Sequence, residues 1–182
     1  MLGLGLNNDE GSVEVNLHTS LLAEKDAHVS ADDDPPGYQN TNYNAANLKI
    51  QIDYGYGLYS LLDFDLSDLI GKQIIKATLK LNVESFNVGA EPALSFGIKI
   101  IEEEWTENTV TYSTRPSISD IFYAESSITE AGLIEIDVKT LLQAVADGAT
   151  YYGMWLYVLS GINAQFTSRE GTEYPVLDVE YS

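Results

Sequence analysis

At 182 residues the chain fits one domain, large enough to bury roughly two thirds of the surface it exposes when unfolded. A net charge of −19 excludes nucleic-acid binding, which needs clustered Lys and Arg against phosphate, and the absence of cysteine removes disulfides, thiolate chemistry and Cys-type zinc sites together. No run approaches the ~20 apolar residues of a membrane-spanning helix, so no membrane insertion is expected.

The start, "MLGLGLNNDEGS", has no basic n-region and too short an apolar part, so no signal peptide is expected in this chain. "SVEVNLH" then alternates through Val13, Val15 and Leu17. Residues 1–20 read as an extension that anchors to a neighbouring chain by strand addition, or as one more strand of the same sheet. Residues 21–182 read as the domain proper.

In "KDAHVS", His28 lies between Ala27 and Val29 and reads as a strand-surface histidine. With His18 the only other histidine, a Ser-His-Asp or Cys-His constellation has little to draw on. The next loop, "ADDDPPGYQNTNYN", places Asp32, Asp34 and Gly37 at the first, third and sixth positions of an EF-hand loop. Pro36 and Tyr43 stand at the fifth and twelfth, so that match fails. A looser structural calcium site on Asp32, Asp33 or Asp34 is the alternative to a solvated acidic loop; no cofactor is otherwise required. Tyr38 and Tyr43 of this loop, with Tyr54, Tyr56 and Tyr59 of "DYGYGLYS", are candidate ligand or partner contacts, since Tyr rings stack on sugar faces or anchor proteins. Tyr also fills sandwich cores and edges.

Period-two alternation predicts strands in "NLKIQID" (Leu48, Ile50, Ile52), "LLDFDLS" (Leu62, Phe64, Leu66), "IKATLKLNVE" (Ile75 to Val83) and "ALSFGIKII" (Leu94 to Ile100). It recurs at Ile134–Val138, Met154–Val158 and Pro175–Tyr181, with turn formers between. Such a series predicts an all-β fold, an antiparallel β-sandwich of jelly-roll type. One helix of about two turns is expected in "DVKTLLQAVADGA", with Asp137 as N-cap or Thr140 and Gln143 as a capping box, and Gly148 beyond its C-terminus. Trp105 and Trp155 are assigned to the core. Acidic pairs such as Asp63 with Asp65, or the run Glu102 to Glu104, are too common in so acidic a chain to mark a hydrolase. No nucleophile elbow, phosphate loop or HExxH occurs, so the protein is not expected to be an enzyme.

"KDAHVS", "TNYNAANLKI", "SLLDFDLSDLIGKQIIKATLKLNV", "EEEWTENTVTYSTRP", "IDVKTLLQAVADGATYYGMWLYV" and "FTSREGTEYPVLDVEY" follow one another in order. Together they make residues 23–182 resemble the DNRLRE-type domain, a β-sandwich related to a family of carbohydrate-binding modules. The resemblance implies a non-catalytic module of large extracellular proteins or of phage structural proteins. It matches Ser168, Arg169 and Glu170 to a signature before the last strand, which implies a clamp in which Arg169, beside Glu170, forks onto a carboxylate or backbone carbonyls. Asp63 and Asp65 are the candidate partners, with Trp105, Thr106 and Glu107 closing a neighbouring loop. Ser60 and Asp63 stand where relatives often carry a basic residue, and Asn44 where a glycine often follows "NY".

Two functions follow as expectations. The first is a surface-exposed structural or adhesion component of a virion, such as a bacteriophage head or tail accessory protein. Residues 1–20 would hold it to protein partners, and its loops would contact host glycans. The second is a carbohydrate-binding module of a secreted polysaccharide-active protein. Either places it on a virion or outside a cell.

Overall fold

The computed structural model describes residues 16–32, 36–43, 47–53, 56–121 and 123–182. Among them run the strands β1 (Leu17–Leu22), β2 (Lys25–Ser30), β3 (Asn47–Asp53), β4 (Tyr56–Asp63), β5 (Ile74–Asn87), β6 (Leu94–Ile100), β7 (Ala124–Ile128) and β8 (Gly132–Asp137). One helix, α1 (Lys139–Ala146), precedes β9 (Met154–Ser160), β10 (Asn163–Thr167) and β11 (Val176–Tyr181). The strands pair antiparallel in the order β1-β11-β5-β10-β3-β4-β9-β6-β7, with β2 added to β4 and β8 to β5. The sheet curls on itself, so its inner faces meet as in a sandwich and the all-β expectation holds.

Alternation decides which side faces in. On β5, Ala77, Leu79, Leu81 and Val83 are buried, whereas Lys76 and Lys80 point outward. They meet Leu48 and Ile50 of β3, Phe96 of β6, Phe166 of β10, and Leu177 and Val179 of β11 in one large core. Helix α1 closes one end through Leu141, Leu142 and Val145. Its cap differs from both expectations. Val138 holds the N-cap position, while the Asp137 carboxylate accepts the Lys139 N–H at 2.9 Å. Gln143 forms no capping box with Thr140. Its amide instead accepts the Ile74 N–H and donates to the Lys72 carbonyl, fastening the helix to the start of β5. Gly148, just past the helix, has φ +104°, a conformation that suits glycine.

A second, smaller core lies on the other side of β2, β4 and β9. Ala27, Val29, Leu61 and Trp155 point there and are covered by Ile101, Trp105 and Val110 of the segment 101–119. Both tryptophans are thus buried, but under a loop. Gly153 makes that cover possible, with φ +133°: a Cβ there would stand 2.6 Å from the Leu62 carbonyl oxygen and 3.3 Å from Trp105 Nε1.

Two boundaries differ from the sequence reading. The "LLDFDLS" strand stops at Asp63, its last partner being Lys25. The Asp65 carboxylate then accepts the Ser67 N–H and starts a 3-10 turn, although Phe64 and Leu66 stay buried. The division after residue 20 falls inside β1, which pairs with β11 from Leu17↔Tyr181 to Leu22↔Val176. Residues 1–15 lie outside the described residues.

Candidate functional site

Three groups of polar and aromatic side chains surround β2. The first is an ionic network at its start. The Arg169 guanidinium forks onto Glu107, Nε to Oε1 at 2.8 Å and Nη2 to Oε2 at 3.0 Å, and its Nε also lies 3.1 Å from Glu170. Backbone donors finish the network: Asp26 N–H to Glu107 Oε1 at 2.9 Å, and Arg169 N–H to Asp26 Oδ2 at 2.7 Å. Segments far apart in sequence are therefore joined at one point. Glu107 and its neighbour Glu170 raise the Arg169 pKa, so the guanidinium stays charged. Asp26 is fully buried and its Oδ1 has no hydrogen-bond partner among the described residues. Burial, reinforced by the charges of Glu170 and Glu107, pushes its pKa up to about 7 against the bond from the Arg169 N–H.

This corrects the expected partners of Arg169. Asp63 pairs with Lys25 at 2.8 Å, and Asp65 is an exposed turn carboxylate bonded to Ser67. Asp63 sits where β4 pairs with Lys25, and Asp65 has left the strand, so neither carboxylate bonds the guanidinium. Glu107, which the sequence reading placed only in a neighbouring loop, is the carboxylate that Arg169 forks. The oxygens of Asp26, Glu107 and Glu170 lie within 4.8 Å of one another, a spacing that suits a metal ion, but Arg169 already supplies positive charge there. Of the expected calcium residues, Asp33 and Asp34 lie outside the described residues. Asp32 lines the cleft described next.

The second group is that cleft, of about 500 Å3 and mostly apolar. Its floor comes from His28 and Ser30 of β2, Lys49 and Gln51 of β3, and Gly57 and Leu58 of β4. Its wall comes from Tyr38, Thr41 and Tyr43. Tyr43 bridges to His28 through the backbone and stacks on its ring at 4.9 Å and 17°, while Tyr38 meets Tyr43 edge-on at 6.5 Å. His28 is 5% exposed, not a strand-surface residue. Burial, with the Lys49 charge, lowers its pKa to about 4, so it presents a neutral ring whose Nδ1 meets the Asn47 carbonyl at 3.2 Å. The wall is braced from outside the cleft. The Asn42 amide donates to the carbonyls of Glu107 and Val110, and the Ser113 N–H to that of Gln39.

The third group is a closed stack. Tyr59 lies between Trp155, at 4.8 Å, and Tyr112, at 5.8 Å, both nearly parallel to it, and Arg115 covers Tyr112 at 4.0 Å. Burial raises the Tyr59 pKa. Of the five tyrosines singled out in the sequence, Tyr38 and Tyr43 share the cleft and Tyr59 belongs to this stack. Tyr54 lies outside the described residues, and Tyr56 is described only as the first residue of β4. The sequence reading missed the cleft floor: Lys49 and Gln51 were visible only as the polar half of an alternating strand.

The cleft joins ring faces to a few hydroxyl, amide and ammonium groups, a combination that binds polar ligands carrying apolar faces. The model of carbohydrate-binding module family 96 matches residues 18–181, from the second residue of β1 to the last of β11. No curated protein matches the chain.

Proposed function

Since the chain belongs to carbohydrate-binding module family 96, we propose that it binds polysaccharide in the cleft walled by Tyr38 and Tyr43. Carbohydrate-binding modules are a non-catalytic class, so the proposed role is to hold a sugar polymer, not to cleave it. The observation that carries the reading is the Tyr43–His28 stack, which presents flat rings beside Lys49, Gln51 and Thr41. A pyranose has an apolar face of axial C–H groups and a rim of hydroxyls, and such a site meets both at once. The narrower resemblance to DNRLRE-type domains belongs to the same reading, as does work outside a cell, where polysaccharides are met.

The virion component expected first draws no support from the family match. Its proposed anchor lies mostly in residues 1–15, outside the described residues. Affinity gel electrophoresis over neutral and acidic polysaccharides tests the proposal. Retardation by at least one polymer, reduced by Tyr43→Ala, is expected. Unchanged mobility across the whole panel overturns it.

A further inference from the structure

The cleft does not end at the tyrosines. Beside the cleft, β3, β10 and β5 lie side by side in that order, and their registers align polar side chains on the face away from the large core. Gln51 pairs with Asn163 and Asn163 with Asn87, giving one continuous row. A second row runs from Lys49 to Gln165 to Ser85. Paired residues share a face and neighbours along a strand do not, so Ile50, Ala164 and Phe166 point the other way into the core. A further hollow of about 160 Å3 lies over β10 and β5, and it shares Lys49, Gln51 and Leu58 with the tyrosine cleft. At a strand spacing of about 4.8 Å, the two rows extend the cleft, as a trough, by about 10 Å across β3, β10 and β5.

The trough is built to keep its shape. The register slips between Gln165↔Ser85 and Phe166↔Val83, leaving Glu84 as the extra residue of a bulge. Its Oε2 accepts from Gln165 Nε2 and from Asn47 Nδ2, each at 2.6 Å. With its NH2 group so held, Gln165 offers its carbonyl oxygen as an acceptor.

We propose that the ligand is an internal stretch of a linear polysaccharide, several rings long, laid across the strands from Tyr43 toward Ser85. A ring packs on Tyr43, and Lys49, Gln51, Asn163 and Gln165 bond the hydroxyls of the rings that follow. A single sugar or a chain end reaches only the tyrosine end and leaves the two rows unused. This rests on the polysaccharide-binding reading above.

The test is calorimetric titration of the full chain with cello-, xylo-, manno- and uronate-oligosaccharides, from dimers to hexamers. For the series that binds, affinity should rise at least about tenfold from dimer to tetramer. Gln165→Ala should weaken hexamer binding about fivefold and dimer binding less than about twofold, the loss of one hydrogen bond at one end of the trough. Its melting temperature, measured alongside, should match that of the native chain. Affinity independent of length, equal losses for dimer and hexamer, or retention of a polymer with no hexamer binding each overturn the trough while leaving polysaccharide binding intact. Failure of every oligosaccharide and every polymer overturns both.

Discussion

Two aromatic groups flank the same pair of strands, β2 and β4, and they do opposite things. On one side Tyr43 stacks on His28 at the edge of an open cleft. On the other, Tyr59 is enclosed between Trp155 and Tyr112, with Arg115 over the outermost ring. Both are stacks of nearly parallel rings, so ring geometry alone does not separate a binding surface from a core. What separates them is cover. The segment 101–119 is held over the second group by the Arg169–Glu107 fork, and no comparable segment among the described residues lies over the first. The cover also reaches across, since Asn42 ties the cleft wall to the carbonyls of Glu107 and Val110.

Removing the fork should break the distinction most. Arg169→Ala strips the partner from a nearly buried Glu107 carboxylate, and should cost about 3 kcal/mol of stability in urea denaturation. That is the low end for a buried pair, because Arg169 itself is 38% exposed on its side chain and water screens part of the interaction. Arg169→Lys should recover only part of the loss, because an ammonium does not fork onto both Glu107 oxygens.

Tyr59→Ala and Tyr43→Ala sharpen the comparison. Tyr59→Ala should cost about 2 kcal/mol of stability, less than a fully buried aromatic because the ring is half-buried, with little effect on ligand affinity per folded molecule. Tyr43→Ala should cost about 1 kcal/mol of binding, a fivefold to tenfold loss, and move the melting temperature less. If the two variants behave alike in melting and in gel retardation, the division into open and closed sides is wrong.

The smallest expected effect is a near-absence of pH dependence in the native chain. Asp26 titrates near 7 when folded and near 3.8 in an unfolded chain, so the folded state holds the extra proton and stability falls as pH rises through that window. His28 titrates near 4 folded and near 6.5 unfolded, so the unfolded state holds the extra proton and stability falls as pH drops. The two slopes oppose each other between about pH 4 and 6.5. Denaturation at a series of pH values should show a shallow profile for the native chain. Asp26→Asn should lose stability on acidification across that range, and His28→Gln should gain it.

The strands were legible because alternation reports local geometry. Ile75 to Val83, Leu94 to Ile100 and the last strand were all readable as half-buried. The helix was legible in its apolar spacing and in Gly148, but its cap was not. Gln143 is claimed by β5, a partner 69 residues away. Arg169 stood out because arginine is scarce here. Its partner did not, since choosing among 28 acidic residues requires the chain path. Asp63 and Asp65 were nearer the expected solvent-side face, and only the register with Lys25 and the turn at Ser67 removes them. The tyrosines were divided by topology in the same way. Nothing local tells Tyr59 from Tyr43; the loop that covers Tyr59 lies about fifty residues on.

The ionic network also bears on how the chain reaches its native state. Asp26 and Arg169 are 143 residues apart, and Asn16 bonds Glu180 across 164. Neither contact can close until the segment beyond β10 has been synthesised, and contacts of such long separation slow folding. A nascent chain interrupted before β10 would therefore carry the tyrosine segment without the latch that steadies its wall. Ligand-binding competence should thus appear late and all at once on the folding pathway, not piecemeal as the strands emerge.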